Sequence, residues 1–202
     1  DRVRDLKTEY QGRKQGEAIG STIEAQRAVD DALSKIAGGL ENDQQREFFK
    51  SIAVTKRGTF LDTQALYESG QLREWEIESS NALANEAIQS AVENSSHPYA
   101  VEVAKVQIGI AVDAIESGAK AARMKEAQVS KLHQAIINAK AVNDAAGAKT
   151  YYAKYKEEID GTVRTGIEEK LKAVGVLQES QRMTDEIIAS GVDYEVQMTV
   201  IK

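Results

Sequence analysis

The two histidines, His97 and His133, are the first candidates for metal binding or acid–base chemistry. His97 directly precedes the single proline, in a polar segment typical of a loop, whereas His133 follows Leu132 in an apolar stretch and is expected to pack. Neither histidine has a second His or a Glu at the spacing of the H-x-x-x-H, H-E-x-x-H or Glu-x-x-His patterns. Cysteine, the other common zinc ligand, is missing from the sequence. We therefore predict no metal site and no catalytic histidine.

Carboxylates form the second set of candidates, because two carboxyl groups flanking a bond hydrolyse glycosides. They cluster at Glu74, Glu76 and Glu78, and again at the pairs 157–158 and 168–169. Positions two apart on a helix point in different directions, so we interpret these groups as solvated helix faces and rank sugar hydrolysis last. The sequence also contains no P-loop, no G-x-G-x-x-G and no G-x-S-x-G motif. These observations predict no catalytic residue, no cofactor and no small-molecule substrate.

A third cluster combines the aromatic residues Tyr151, Tyr152 and Tyr155 with nearby lysines. Packing of the aromatic rings against a neighbouring helix is the favoured interpretation, most clearly for Tyr152 and Tyr155. The alternative is a partner-binding surface made of Tyr151, Tyr155 and Lys149, since tyrosine rings attract cations and stack on planar ligands.

The elements that must position these residues are helices. The 202 residues include one proline, far below the usual share of about 5%, and proline is the residue that helices tolerate least. Apolar residues recur at steps of three and four through most of the chain. We predict a mainly α fold, either an antiparallel helical bundle or a short helix-pair solenoid with long helices.

Residues 1–40 are predicted to form an N-terminal helical arm that drives oligomerisation. A short helix over Val3 to Tyr10 comes first, and glycines at 12, 16 and 20 loosen the chain after it. A long helix then ends at Gly38-Gly39. Its apolar residues, expected to share one face and called here the N-terminal seam, are Ile19, Ile23, Val29, Leu33, Ile36 and Leu40.

Residues 41–190 are predicted to form a bundle of helical hairpins. Asn42 or Asp43 caps the first helix, and breaks are expected at residues 56–59 and at Ser69-Gly70. The loop 94–98 is expected to turn the chain into an antiparallel hairpin, with further turns near Ser117-Gly118, Asn143–Gly147 and Asp160-Gly161.

Residues 191–202 alternate apolar and polar side chains from Val192 to Val200, a period-two pattern that predicts a β-strand. A lone strand requires a partner strand. The alternative, that this end has no fixed structure, stays open.

The formal net charge is −6, which argues against binding nucleic acid through bulk charge. No run of 18 apolar residues is present, so no membrane span is predicted, and residues 1–5 lack the apolar segment of a secretory signal.

Several segments follow a pattern found in helical domains of bacteriophage virion proteins. An acidic helix rich in Ala and Asn at 78–88 ends in the loop 94–98, and a return helix follows over 104–122. The segment 131–137 resembles the Ser/Lys-x-Leu/Ile-His-x-x-Ile pattern of that family, although Ala-Ala-Arg-Met at 121–124 replaces a frequent Gly-Trp step. Residues 143–160 resemble its polar turn and Ala-x-x-Tyr helix.

This resemblance to tail or internal, ejected virion proteins implies a structural or assembly role in the virion or the host cytoplasm. The expected partners are further copies of the chain and other virion proteins. A cellular α-helical solenoid that binds a peptide or protein is the alternative, and a concave groove containing Tyr151 and Tyr155 would favour it.

Overall fold

The protein is described by a computed structural model over residues 2–190, and this part of the chain is all-α. The α-helices are α1 (Arg2–Gln11), α2 (Ser21–Gly38), α3 (Asp43–Glu93), α4 (Ala100–Asp113), α5 (Gly118–Asn143), α6 (Ala145–Tyr155) and α7 (Gly161–Ala189). Short 3-10 turns lie at Gln15–Ala18 and Lys156–Glu158. The mainly α prediction is therefore confirmed, whereas the strand predicted for 191–202 lies outside the described residues.

Capping side chains define several helix starts, and the sequence predicts the one at Asn42. The side-chain oxygen of Asn42 accepts a hydrogen bond from the Gln45 amide at 2.9 Å. Asp144 accepts one from the Gly147 amide at 2.7 Å, and Asp160 caps α7. The loop over 94–98 is also present, although α4 begins two residues after the proline rather than at it.

The breaks expected at 56–59 and at Ser69-Gly70 are wrong, because α3 runs without interruption for 51 residues. A glycine inside a helix costs only about 1 kcal/mol relative to alanine. The packing of Phe60 and the buried Gln64, which lie between the two glycines, outweighs that cost.

The chain divides into two compact units, residues 1–79 and 80–202. The first contains α1, α2 and the first part of α3, and its core is built from Leu6, Tyr10, Ala25, Val29 and Phe60. Helix α2 is antiparallel to the first part of α3, since Gln64 donates a hydrogen bond to Ser21 while Arg57 pairs with Asp30. The predicted partition into 1–40, 41–190 and 191–202 is a different one and stays a prediction.

The second unit stacks the end of α3, then α4, α5, α6 and α7, each antiparallel to the helix before it. Buried alanines of α3 pack on α4, as at Ala87 and Ala104, and large side chains of α5 such as Leu132 and Ile136 complete that core. A second core joins α5 to α6 and α7 around Ile137. Within residues 2–190, no helix is both long and apolar enough to cross a membrane.

Candidate functional site

The most concentrated polar cluster lies inside the second unit. We call it the central cluster, and it consists of His133, Tyr151, Tyr155, Glu158 and Lys105. Helix α5 places His133 toward α6 and the 3-10 turn that follows it, and the imidazole is completely buried. Three residues earlier on the same helix, Ser130 accepts a hydrogen bond from the Asp160 amide at 2.9 Å, which fixes the turn against α5. The sequence therefore brings a titratable ring into a core that is mostly apolar.

Both ring nitrogens of His133 have partners. Nδ1 lies 2.9 Å from the Tyr151 hydroxyl, and Nε2 lies 3.3 Å from Oε2 of Glu158. An ionised carboxylate only accepts hydrogen bonds, so Nε2 carries the proton and Nδ1 accepts from Tyr151. The Tyr155 ring stacks on the imidazole with centroids 4.6 Å apart and planes inclined by 19°.

Helix α4 contributes the cation of the cluster. Nζ of Lys105 lies 2.6 Å from the same Oε2 of Glu158 and 3.4 Å from Oε1 of Glu102. It also lies 5.4 Å from the centroid of the Tyr155 ring. One carboxylate thus joins α4 to α5 through Lys105 and His133.

Burial and charge shift the pKa values of this cluster. Burial lowers the pKa of His133, and the nearby Lys105 cation acts in the same direction. Burial alone would raise the pKa of Glu158, but hydrogen bonds from Lys105 and His133 outweigh it and the pKa is lowered. Burial also raises the pKa of the Tyr151 phenol well above its ordinary value. At neutral pH the cluster holds a neutral imidazole, a carboxylate, a phenol and an ammonium group.

The order Glu158, His133, Tyr151 is that of an oriented base beside a hydroxyl, but the protonation states oppose such chemistry. The raised pKa of Tyr151 disfavours a nucleophilic phenolate, and an ionised Glu158 is no general acid. The imidazole has no exposed surface through which a substrate could reach it. The arrangement is suited to holding α4, α5 and α6 together.

The structure brings together two of the three residues of the predicted partner surface. Tyr151 and Tyr155 are half-buried and adjacent, with ring centroids 4.7 Å apart, and both turn toward His133. Lys149 lies elsewhere, with Nζ 2.6 Å from the position that a Cβ on Gly175 of α7 would occupy. The Tyr152 hydroxyl donates to Glu168 at 2.6 Å.

The N-terminal seam is not a single face. Val29 is completely buried, Leu33 and Leu40 are half-buried, and Ile19, Ile23 and Ile36 are exposed. The buried stripe of α2 instead follows the small residues 21, 25 and 29. Six residues separate Ile23 from Val29, which places them about 120° apart around a helix of 3.6 residues per turn. The expectation of one shared face is therefore wrong, although an oligomerisation role for the exposed members stays a prediction.

The carboxylates at positions 74, 76 and 78 each have a side-chain partner. Gln71 donates to Glu74 at 2.8 Å, and Arg73 lies 3.8 Å from Glu76. Glu78 accepts a hydrogen bond from Gln15. Across residues 2–190, no group of three or more His, Asp or Glu side chains is arranged to hold a metal ion.

Sequence reasoning missed Lys105 and Glu158 as members of the central cluster. A usable signal existed for Lys105, because it is a lone cation between Val101 and Ile108 in the apolar stripe of α4. No such signal existed for Glu158, which stands beside Glu157 in an ordinary acidic pair.

Comparison with known proteins adds no relative. No protein family, no curated protein and no solved structure matches the chain.

Proposed function

We propose that this chain is a non-enzymatic structural or assembly protein of a bacteriophage or prophage particle. It acts through helix-mediated self-association and through contacts with other virion proteins. Its place is the virion and, before assembly, the host cytoplasm.

The observation that carries the self-association is the amount of apolar side chain left in water. Phe48 is 71% exposed and Leu66 is 77% exposed on α3, and Val176 and Met183 of α7 are also more than half exposed. A single exposed apolar side chain needs no explanation, but many exposed apolar side chains along several helices are typical of surfaces that bind other proteins.

The central cluster supports a structural role. His133 is paired with Tyr151 and Glu158, and Glu158 is also paired with Lys105. Mutual hydrogen bonds of this kind stabilise the packing of α4, α5 and α6 in the second unit.

The assignment to a phage particle is supported by the sequence resemblance alone. The segments 78–98 and 131–160 carry the pattern of the virion domains, and they form the end of α3, its loop, the second half of α5, α6 and the turn after it.

Mass spectrometry of purified particles tests the assignment. Particles from the host that encodes the chain are banded by density, and peptides of the chain should comigrate with the particle. The matched variant replaces exposed Ile23 and Ile36 by serine and leaves buried Val29 unchanged, so that the core of the first unit is kept. We expect this variant to be depleted from particles. Peptides found only in the unassembled cell fraction would contradict the proposal and favour the peptide-binding module.

A further inference from the structure

Helix α4 has a second apolar face besides the one buried in its own unit. Tyr99, just before the helix, is 68% exposed, and Val103, Val106 and Ile110 are 53%, 63% and 67% exposed. We call these four residues the outer stripe. Their spacing of four, three and four places them on one side of the helix, opposite the buried Ile108. This is the spacing with which one helix packs along another.

The two ends of the outer stripe differ in shape. Tyr99 is a large exposed ring at one end. At the other end a groove of about 380 Å³ opens between α3 and α4. Its apolar lining is Ile110, Leu83, Ala87 and Ala111, and its polar lining is Glu86, Ser90 and Gln107. A projecting ring and a groove with a mixed apolar and polar lining therefore lie at opposite ends of one face.

We propose that the outer stripe binds the outer stripe of a second copy of this chain, with the two α4 helices antiparallel about a two-fold axis. The inference deepens the self-association proposed above and rests on it. The axis passes between Val103 and Val106, so that each Tyr99 lies opposite the second copy's Ile110. Each ring then enters the other copy's groove, and the same contact forms twice.

Three features of the stripe suit a second copy of the chain. A two-fold interface must be complementary to itself, and spacing of four, three and four is the same in either direction. The stripe contains no charged residue, so pairing it with itself buries no like charges. Of the positions that flank it, Ala100, Gly109 and Ala114 are small and Glu102 and Asp113 are charged. A Cβ on Gly109 would meet nothing within 4 Å, which leaves room for a close helix. Antiparallel pairing also opposes the two helix dipoles favourably.

Disulfide trapping tests the geometry, because the chain contains no cysteine of its own. Around the proposed axis, position 106 is offset from position 106 of the second copy by about 4.5 Å along the helices, whereas position 110 is offset from its equivalent by about 16 Å. We expect oxidised V106C to form a covalent dimer and I110C alone to form none. A mixture of Y99C and I110C chains should form the mixed dimer. A146C, exposed on α6, is the control and should stay uncrosslinked. Failure of V106C to crosslink would overturn the proposal, and efficient I110C homodimers would overturn its antiparallel form.

Sedimentation of the whole chain separates this inference from the proposed function. Tyr99→Ala should weaken self-association at least tenfold, because the ring fills a groove at both ends of the interface. Val142→Ala removes an even more exposed apolar side chain from α5, outside the outer stripe, and should change nothing. Self-association that Tyr99→Ala leaves intact would overturn the α4 interface and leave the proposed function standing. A wild-type chain that is monomeric throughout would overturn both.

Discussion

Replacement of His133 by alanine is expected to destabilise the second unit strongly and to change how its stability depends on pH. The substitution removes a completely buried ring that stacks on Tyr155. It also removes the partner of the Tyr151 hydroxyl and one partner of Glu158. Truncation of a buried aromatic side chain costs about 3–5 kcal/mol, and each 1 kcal/mol lowers the Tm of a chain of this size by about 2–4 °C. We expect the transition of the second unit to fall by roughly 6–20 °C.

The pH dependence follows from the direction of the pKa shift. Burial holds the pKa of His133 below its unfolded value of about 6.5, so the unfolded chain binds more protons than the folded one between the two pKa values. Stability therefore falls as the pH drops below about 6.5, with a limiting slope of about 1.4 kcal/mol per pH unit for one proton. The His133→Ala variant lacks this contribution.

Urea unfolding followed by circular dichroism at pH 7.5 and 5.5 measures the effect. The loss of stability on acidification should be smaller in His133→Ala than in wild type. His97→Ala is the matched control, since His97 is the other histidine and is exposed, and it should keep the wild-type response. Parallel pH profiles for wild type and His133→Ala would refute the reasoning.

Four further substitutions test the packing of the helices. Glu68→Ala should cost about 1–3 kcal/mol, because this carboxylate accepts hydrogen bonds from the amides of Gly20 and Thr22, at the start of α2, at 2.6 and 2.8 Å; Glu74→Ala is the control, and equal urea midpoints would refute the capping. Gly58→Ala and Gly70→Ala should each stabilise the chain by about 1 kcal/mol, since a Cβ meets nothing within 4 Å at either position; a lower Tm would count against a continuous α3. Leu132→Ala should cost about 2–5 kcal/mol in calorimetry, because Leu132 is completely buried; a change below 1 kcal/mol would contradict that core.

The helical character of the chain is predictable because it depends on local chemistry. Caps such as Asn42, Asp144 and Asp160 and the scarcity of proline act within a few residues. The continuity of α3 through Gly58 and Gly70 was not predictable from such signals. It depends on packing by residues such as Gln64, whose partner Ser21 lies 43 residues away.

The central cluster was predictable only in part, for the same physical reason. His133 and the tyrosines attract attention by their residue types, and their packing follows from helical spacing. The contribution of Lys105 and Glu158 depends on α4 and the turn after α6 meeting at α5, which requires the tertiary arrangement. Lys149 is the opposite case. It is close to Tyr151 in sequence, but its ammonium group lies next to Gly175 of α7.

Sedimentation velocity of the 202-residue chain over a wide concentration range tests self-association most directly. We expect a species of at least twice the 22.1 kDa chain mass that dissociates on dilution. A single species of the chain mass at every concentration would contradict it.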